Sequence, residues 1–269
     1  MSARPSGSAL ALSMLAAVLA AGTSLAGLLW PGAYARETAA WAVQGVGQDA
    51  ANLAVVVTTL ACAGLLRRRA SFTALSVWLG SLLYFIYAFA IYAFAVHFTA
   101  LFLAYVAVLG LSFFAFVATL AGLDVAAATA PLRGSPRRRG AGALLVGIGV
   151  VFAMLWLSED IPHVLANTPP PSLAATGLLT NPVHVLDLAF VLPAMIVGGV
   201  LLRRGHPWGL LLGPVLLVFA VAMGVAILAL FALSAVHGLP VAAPAAVVVG
   251  FIVVASAVAA RRLLSAPAG

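Results

Sequence analysis

The stretch "NPVHVLDLAF", residues 181–190, sets a histidine and an aspartate three apart where an apolar run begins that continues to Leu202. An ionisable side chain at a bilayer centre costs at least ~2.5 to 3.5 kcal/mol, so such a residue faces a bundle interior or a wet cavity. Asn181 reads as a helix N-cap with Pro182 at the first helical position, which puts His184 and Asp187 on one face in the first two turns. The helix dipole favours a carboxylate there. Two readings of Asp187 follow: it satisfies local backbone or pairs with His184, or it contacts a ligand or proton. Asp49 and Asn52 carry the same spacing at the start of an earlier apolar run. They complete a polar quartet of candidate ligand-binding residues.

Tyrosines add to that set. In "YFIYAFAIYAFAVHF", residues 84–98, Tyr84, Tyr87 and Tyr92 fall in the outer half of one span. They are candidates to line a cavity for a flat ligand or a lipid head group, or to pack and anchor as aromatic belts do. Metal chemistry is a further reading. His97, His163, His184 and His237 gather with Asp187 toward one end of the bundle, and imidazole with carboxylate is a transition-metal donor set. No HExxH or CxxC spacing supports it, and "EDIPH", residues 159–163, reads as proline-rich loop. No strong motif requires a cofactor.

The elements that position these residues are membrane spans. Hydrophobic residues make up 65% of the 269, charged residues 7%, and the mean hydropathy is +1.20, which excludes a soluble globular domain. Cutting at polar and turn residues gives eight spans, near 9–30, 50–66, 72–95, 98–122, 141–158, 183–202, 208–235 and 241–260. The fold class is an all-α polytopic bundle forming one integral membrane domain over 1–269. The first apolar run exceeds a signal-peptide core, so it is read as an uncleaved span. Asp187 is the one acid clearly inside a span by these boundaries. Pro193 is the interior candidate for a kink, and no span carries a broken-helix signature.

All thirteen basic residues are arginines in short runs between spans, a positive-inside pattern rather than a nucleic-acid surface. It predicts both termini in the cytoplasm and Arg36 alone outside. The absence of lysine excludes Schiff-base chemistry. The lone Cys62 can close no internal disulfide and reads as a small packing residue.

The plan of spans repeats, with halves 1–130 and 141–262 joined by an arginine-rich cytoplasmic loop at 124–140. "DAANLAVVVTTLACAGLLRRR" aligns with "HVLDLAFVLPAMIVGGVLLRR", bringing Asn52 onto Asp187 and Gly64 onto Gly199. Both halves enter from one side, which describes a parallel four-plus-four repeat. At "LGSLLYFIYAFAIYAFAVHFTALFLAYVAVLGLS" and "VHVLDLAFVLPAMIVGGVLLRRGHPWG" the chain resembles a family of bacterial polytopic membrane proteins of about eight helices. The resemblance spans most of 49–213. It implies a bacterial inner-membrane location and carries no activity.

Three functions remain open on these residues. One is a carrier or a small-molecule or lipid-binding protein with an outward-facing polar site. Another is an intramembrane enzyme on a hydrophobic substrate, metal-dependent or using acid–base chemistry, with Asp187 orienting His184. The third is a non-catalytic scaffold or partner subunit. The partners expected are the lipid bilayer, a hydrophobic small molecule or lipid, and a second copy of the chain, with no nucleic acid.

Overall fold

The computed structural model describes residues 4–241 and 243–265. Among these residues there are eight helices long and apolar enough to cross a membrane. They are α1 Gly7–Leu29, α2 Ala39–Arg68, α3 Phe72–Ala95, α4 Phe102–Gly122, α5 Arg138–Ala166, α6 Pro182–Arg204, α7 Pro207–Val236 and α8 Ala243–Leu264. No strand occurs among the described residues. The chain is an all-α polytopic membrane bundle with the eight spans read from its hydropathy. The loop at 124–140 holds two short helical turns, Val125–Thr129 and Ala130–Leu132, and the α5–α6 connection holds another, Pro171–Thr176.

Helix ends follow local chemistry. Ser6, Thr38, Ser71 and Asn181 cap α1, α2, α3 and α6 by accepting backbone N–H bonds. Arg67 and Arg68, Arg203 and Arg204, and Arg261 and Arg262 close α2, α6 and α8, where cations suit the dipole. Arg4 donates to the Arg68 carbonyl and Arg137 to that of Arg262, which gathers these arginines at one end of the bundle. At the other end Glu37 accepts from the His97 backbone at 2.7 Å and pairs with its ring at 3.0 Å, tying the α1–α2 and α3–α4 connections together.

Each half closes a ring: α1 packs on α2, α2 on α3, α3 on α4 and α4 on α1, and α5 to α8 follow the same cycle. Across the seam α7 lies against α2 and α3, and the start of α6 lies against α3. That makes α3 the most enclosed helix and leaves α8 the least. The outer faces carry exposed Phe94, Leu103 and Phe251, as a lipid solvent permits. Lipid tails are as apolar as these side chains, so close packing and interhelical hydrogen bonds must hold the helices together. Gly142 on α5 and Gly199 on α6 show the first of these. A Cβ on Gly142 would sit 2.5 Å from the Gly199 carbonyl oxygen, so only glycine permits the approach.

Five expectations are corrected. The second span starts at Ala39 rather than near 50, and the fifth runs on to Ala166 rather than stopping near 158. Hydropathy ends a span at polar residues, yet here Gln44, Gln48, Asp49, Glu159 and Asp160 continue the helix because it carries them inward or past the apolar slab. At 30 and 29 residues, α2 and α5 are about 44 Å long, well beyond a core of about 30 Å. "EDIPH" is accordingly helical, with Pro162 inside α5. Asp187 is not the one acid within a span, since Asp49 lies ten residues into α2. Finally, one span is interrupted: Asp187–Val191 forms a π turn in α6, in which the Leu192 amide bonds the Asp187 carbonyl five residues back. Pro193 follows it after one residue, Leu192. A proline ring clashes with the carbonyl four residues earlier and offers no N–H, and the widened turn accommodates both defects.

Candidate functional site

Two polar clusters occupy the interior, one in each half. In the first, Asp49 and Asn52 sit one turn apart on α2, both buried. Asp49 accepts from the Tyr34 hydroxyl at 2.6 Å and from the Tyr92 hydroxyl at 2.8 Å, one on each oxygen. Asn52 accepts from Tyr84 at 2.8 Å and donates to Ser24 on α1 at 3.0 Å. Gln48 donates to Tyr84 at 2.7 Å and closes the network. Space for the Asp49 carboxylate comes from Gly27 on α1, where a Cβ would overlap Oδ2. Burial pushes the Tyr34 phenol well above its ordinary range, and neighbouring Asp49 pushes it further, so it remains a neutral donor.

In the second cluster Asp187, half-buried on α6, accepts from the Tyr87 hydroxyl at 3.0 Å and from the Trp156 indole at 2.8 Å. His184, one turn earlier and buried, stacks on Trp156 with ring centroids 4.3 Å apart. Its Nδ1 meets Asp160 of α5 at 2.9 Å. The expected direct pairing of His184 with Asp187 is therefore replaced. The two side chains diverge: Asp160 on α5 takes the His184 ring, and Asp187 turns to a tyrosine on α3 and a tryptophan on α5.

Between the halves lies a cavity of about 660 Å³. Its walls come from α2, α3, α5, α6, α7 and α8 and are mainly apolar, with Phe152, Met195, Phe219 and Met223 among them. Polar groups enter from both halves: Gln44, Gln48 and Tyr92 from one, Trp156 and Asp187 from the other, with Tyr87 joining them. An apolar hollow with a few converging polar groups is the usual form of a small-molecule site.

The histidines read as metal donors are separated. His97 pairs with Glu37, His163 faces Thr168 at 3.4 Å, His184 holds Asp160, and His237 meets the Leu233 carbonyl at 2.9 Å. Among the described residues no three His, Cys, Asp or Glu side chains are placed to share a metal ion. Four loops or helix ends carry them, and sharing one end of a bundle does not bring side chains to one point.

All seven residues of the polar and tyrosine set lie in these clusters. Asp187, Tyr87 and Tyr92 reach the cavity wall, while Asp49, Asn52, Tyr84 and His184 stand behind it. Tyr34 and Trp156, aromatic residues near span ends that the sequence alone places as interfacial anchors, each donate to an acid of these clusters. Gln44 and Gln48 carry no such reading, yet both line the cavity. A signal existed for the glutamines: Gln44, Gln48 and Asn52 recur every four residues and so form one stripe on α2. A scan against protein-family models found no match, and searches of curated proteins and of solved structures found none either.

Proposed function

We propose that this membrane protein is a carrier or binding protein for a hydrophobic small molecule or lipid held in the cavity between its halves. The cavity is the observation that carries the reading. It is large enough for a small molecule, and its few polar groups converge from both halves. The shared ring order of α1 to α4 and α5 to α8 supports a four-plus-four repeat, and carriers often place substrate at a repeat interface. The π turn at Asp187 supplies the irregular helix that hydropathy alone did not offer, beside the cavity. In this reading the protein sits in a bacterial inner membrane with its arginine-rich end and both termini in the cytoplasm, and the polar site opens outward.

Native mass spectrometry of protein taken directly from membranes tests the proposal. Wild type should retain a stoichiometric small molecule, and filling the cavity with Ala88→Phe or Met223→Trp should release it. A wild type with no bound molecule, whose Gln48→Cys thiol also fails to react with a small water-soluble reagent in a Cys62→Ala background, would remove the cavity as a binding site.

An enzyme reading keeps one observation in its favour. Asp160 fixes the His184 ring through Nδ1, the arrangement that orients a general base. It requires His184→Gln to abolish turnover while the cavity still retains its molecule.

A further inference from the structure

Among the described residues, Asp187 is the only carboxylate on the cavity wall, and no arginine or histidine lines that wall. The two ion pairs among the described residues, His97 with Glu37 and His184 with Asp160, lie elsewhere. His184 stands one turn before Asp187 but directs Nδ1 to Asp160. The chain has no lysine, and the arginines gather mainly at the end of the bundle that holds the C-termini of α2, α6 and α8. Asp187 therefore has two hydrogen-bond donors, Tyr87 and Trp156, and no ion-pair partner among the described residues, the neighbouring His184 ring being held by Asp160.

A carboxylate removed from water keeps a large desolvation penalty unless a cation pairs with it. Two neutral donors offset part of that penalty and leave the charge itself uncompensated. The remaining wall is suited to a positive guest, because the ring faces of tryptophan, tyrosine and phenylalanine attract cations. Trp41, Tyr92, Trp156, Phe219 and Phe231 all border the same space. An anion would meet the acid. A neutral guest would gain from the apolar walls and leave the carboxylate unpaired.

We infer that the cavity takes lipophilic organic cations, with an ammonium or similar centre paired to Asp187 and an apolar or aromatic body against the walls contributed by both halves. The inference rests on the cavity being a binding site. An amine-bearing lipid and a free hydrophobic amine share this chemistry, and the mass of the retained molecule separates the two sources.

The test uses three phenyl-bearing probes of different charge: the tetrahedral ions tetraphenylphosphonium and tetraphenylborate, and neutral triphenylphosphine. Each is measured by equilibrium dialysis against the full chain in nanodiscs of zwitterionic lipid, with empty nanodiscs subtracted. Wild type should favour the phosphonium over the borate by about tenfold or more, the scale of one close charge pair in a protein environment. Asp187→Asn should abolish that preference while retaining triphenylphosphine, which shows that the cavity is intact. Ala88→Phe or Met223→Trp should remove binding of all probes. Binding of triphenylphosphine that the filling variants abolish, with no preference between the ions, would overturn the cation assignment and leave the cavity standing. A cation preference that survives Asp187→Asn would overturn it as well. Absence of any probe binding sensitive to the filling variants would overturn the cavity reading and the cation with it.

Discussion

Tyr87 on α3 donates its hydroxyl hydrogen to Asp187 on α6 at 3.0 Å, across the seam between the two halves. Among the described residues it is the one hydrogen bond between side chains of different halves. Five residues along α3, Tyr92 donates to Asp49 of the first half at 2.8 Å. The enclosed helix thus serves both acids, about 7.5 Å apart along its axis. One serves packing within a half, and the other stands where the halves meet and the cavity opens.

Tyr87→Phe removes the bond across the seam and little else, since the ring keeps its edge contact with Phe219. Interhelical hydrogen bonds in membranes contribute about 0.6 kcal/mol on average and at most about 1.7. The variant should fold and lose stability in that range, read from reversible unfolding in mixed micelles. A loss far above it would mean that the hydroxyl holds more than Asp187.

Gly27→Ala should cost more than its size suggests. The added methyl overlaps the Asp49 carboxylate, which Tyr34 and Tyr92 grip from both oxygens, so neither side can yield without breaking a buried bond. Overpacking of this kind costs about 1 to 3 kcal/mol. If the acid is the obstacle, Asp49→Ala in the Gly27→Ala background should recover part of the loss, a non-additivity visible in the same unfolding assay.

These contacts mark where reading the sequence succeeded and where it stopped. Eight spans were legible because apolar runs of membrane length are a strong signal, and α3 matched its expected limits of 72–95. The ends of α2 and α5 were not, because hydropathy measures transfer to lipid and these ends carry polar side chains that meet protein instead. The quartet at 49, 52, 184 and 187 was legible as polar residues at helical spacing. Its partners were not: Tyr34 lies in a connection and Trp156 on another helix, and only packing brings them to Asp49 and Asp187. The π turn escaped as well. Pro193 was visible, but a proline alone does not say whether a helix bends, ends or widens.

Thiol labelling of intact cells tests the orientation proposed from the arginines. In a Cys62→Ala background, a membrane-impermeant maleimide should modify Ser172→Cys in the α5–α6 connection and spare Gly134→Cys in the arginine-rich loop until the cells are opened. The reverse pattern would invert the bundle and place the Asp187 site on the cytoplasmic side.

Pro193→Ala separates the fold of α6 from its use. Restoring the amide and removing the ring allows an unbroken α-helix, and absorbing the extra residue of the π turn would rotate everything on its N-terminal side by about 100°. That rotation carries Asp187 away from Tyr87 and Trp156. Alanine is about 3 kcal/mol more favourable than proline in a helix interior, so the variant should be no less stable than wild type. It should nonetheless lose the preference for tetraphenylphosphonium, because the carboxylate no longer faces the cavity. A variant that keeps both the preference and wild-type stability would show that packing, not the proline, sets the turn. The widened helix would then follow from the contacts of Asp187 rather than position it.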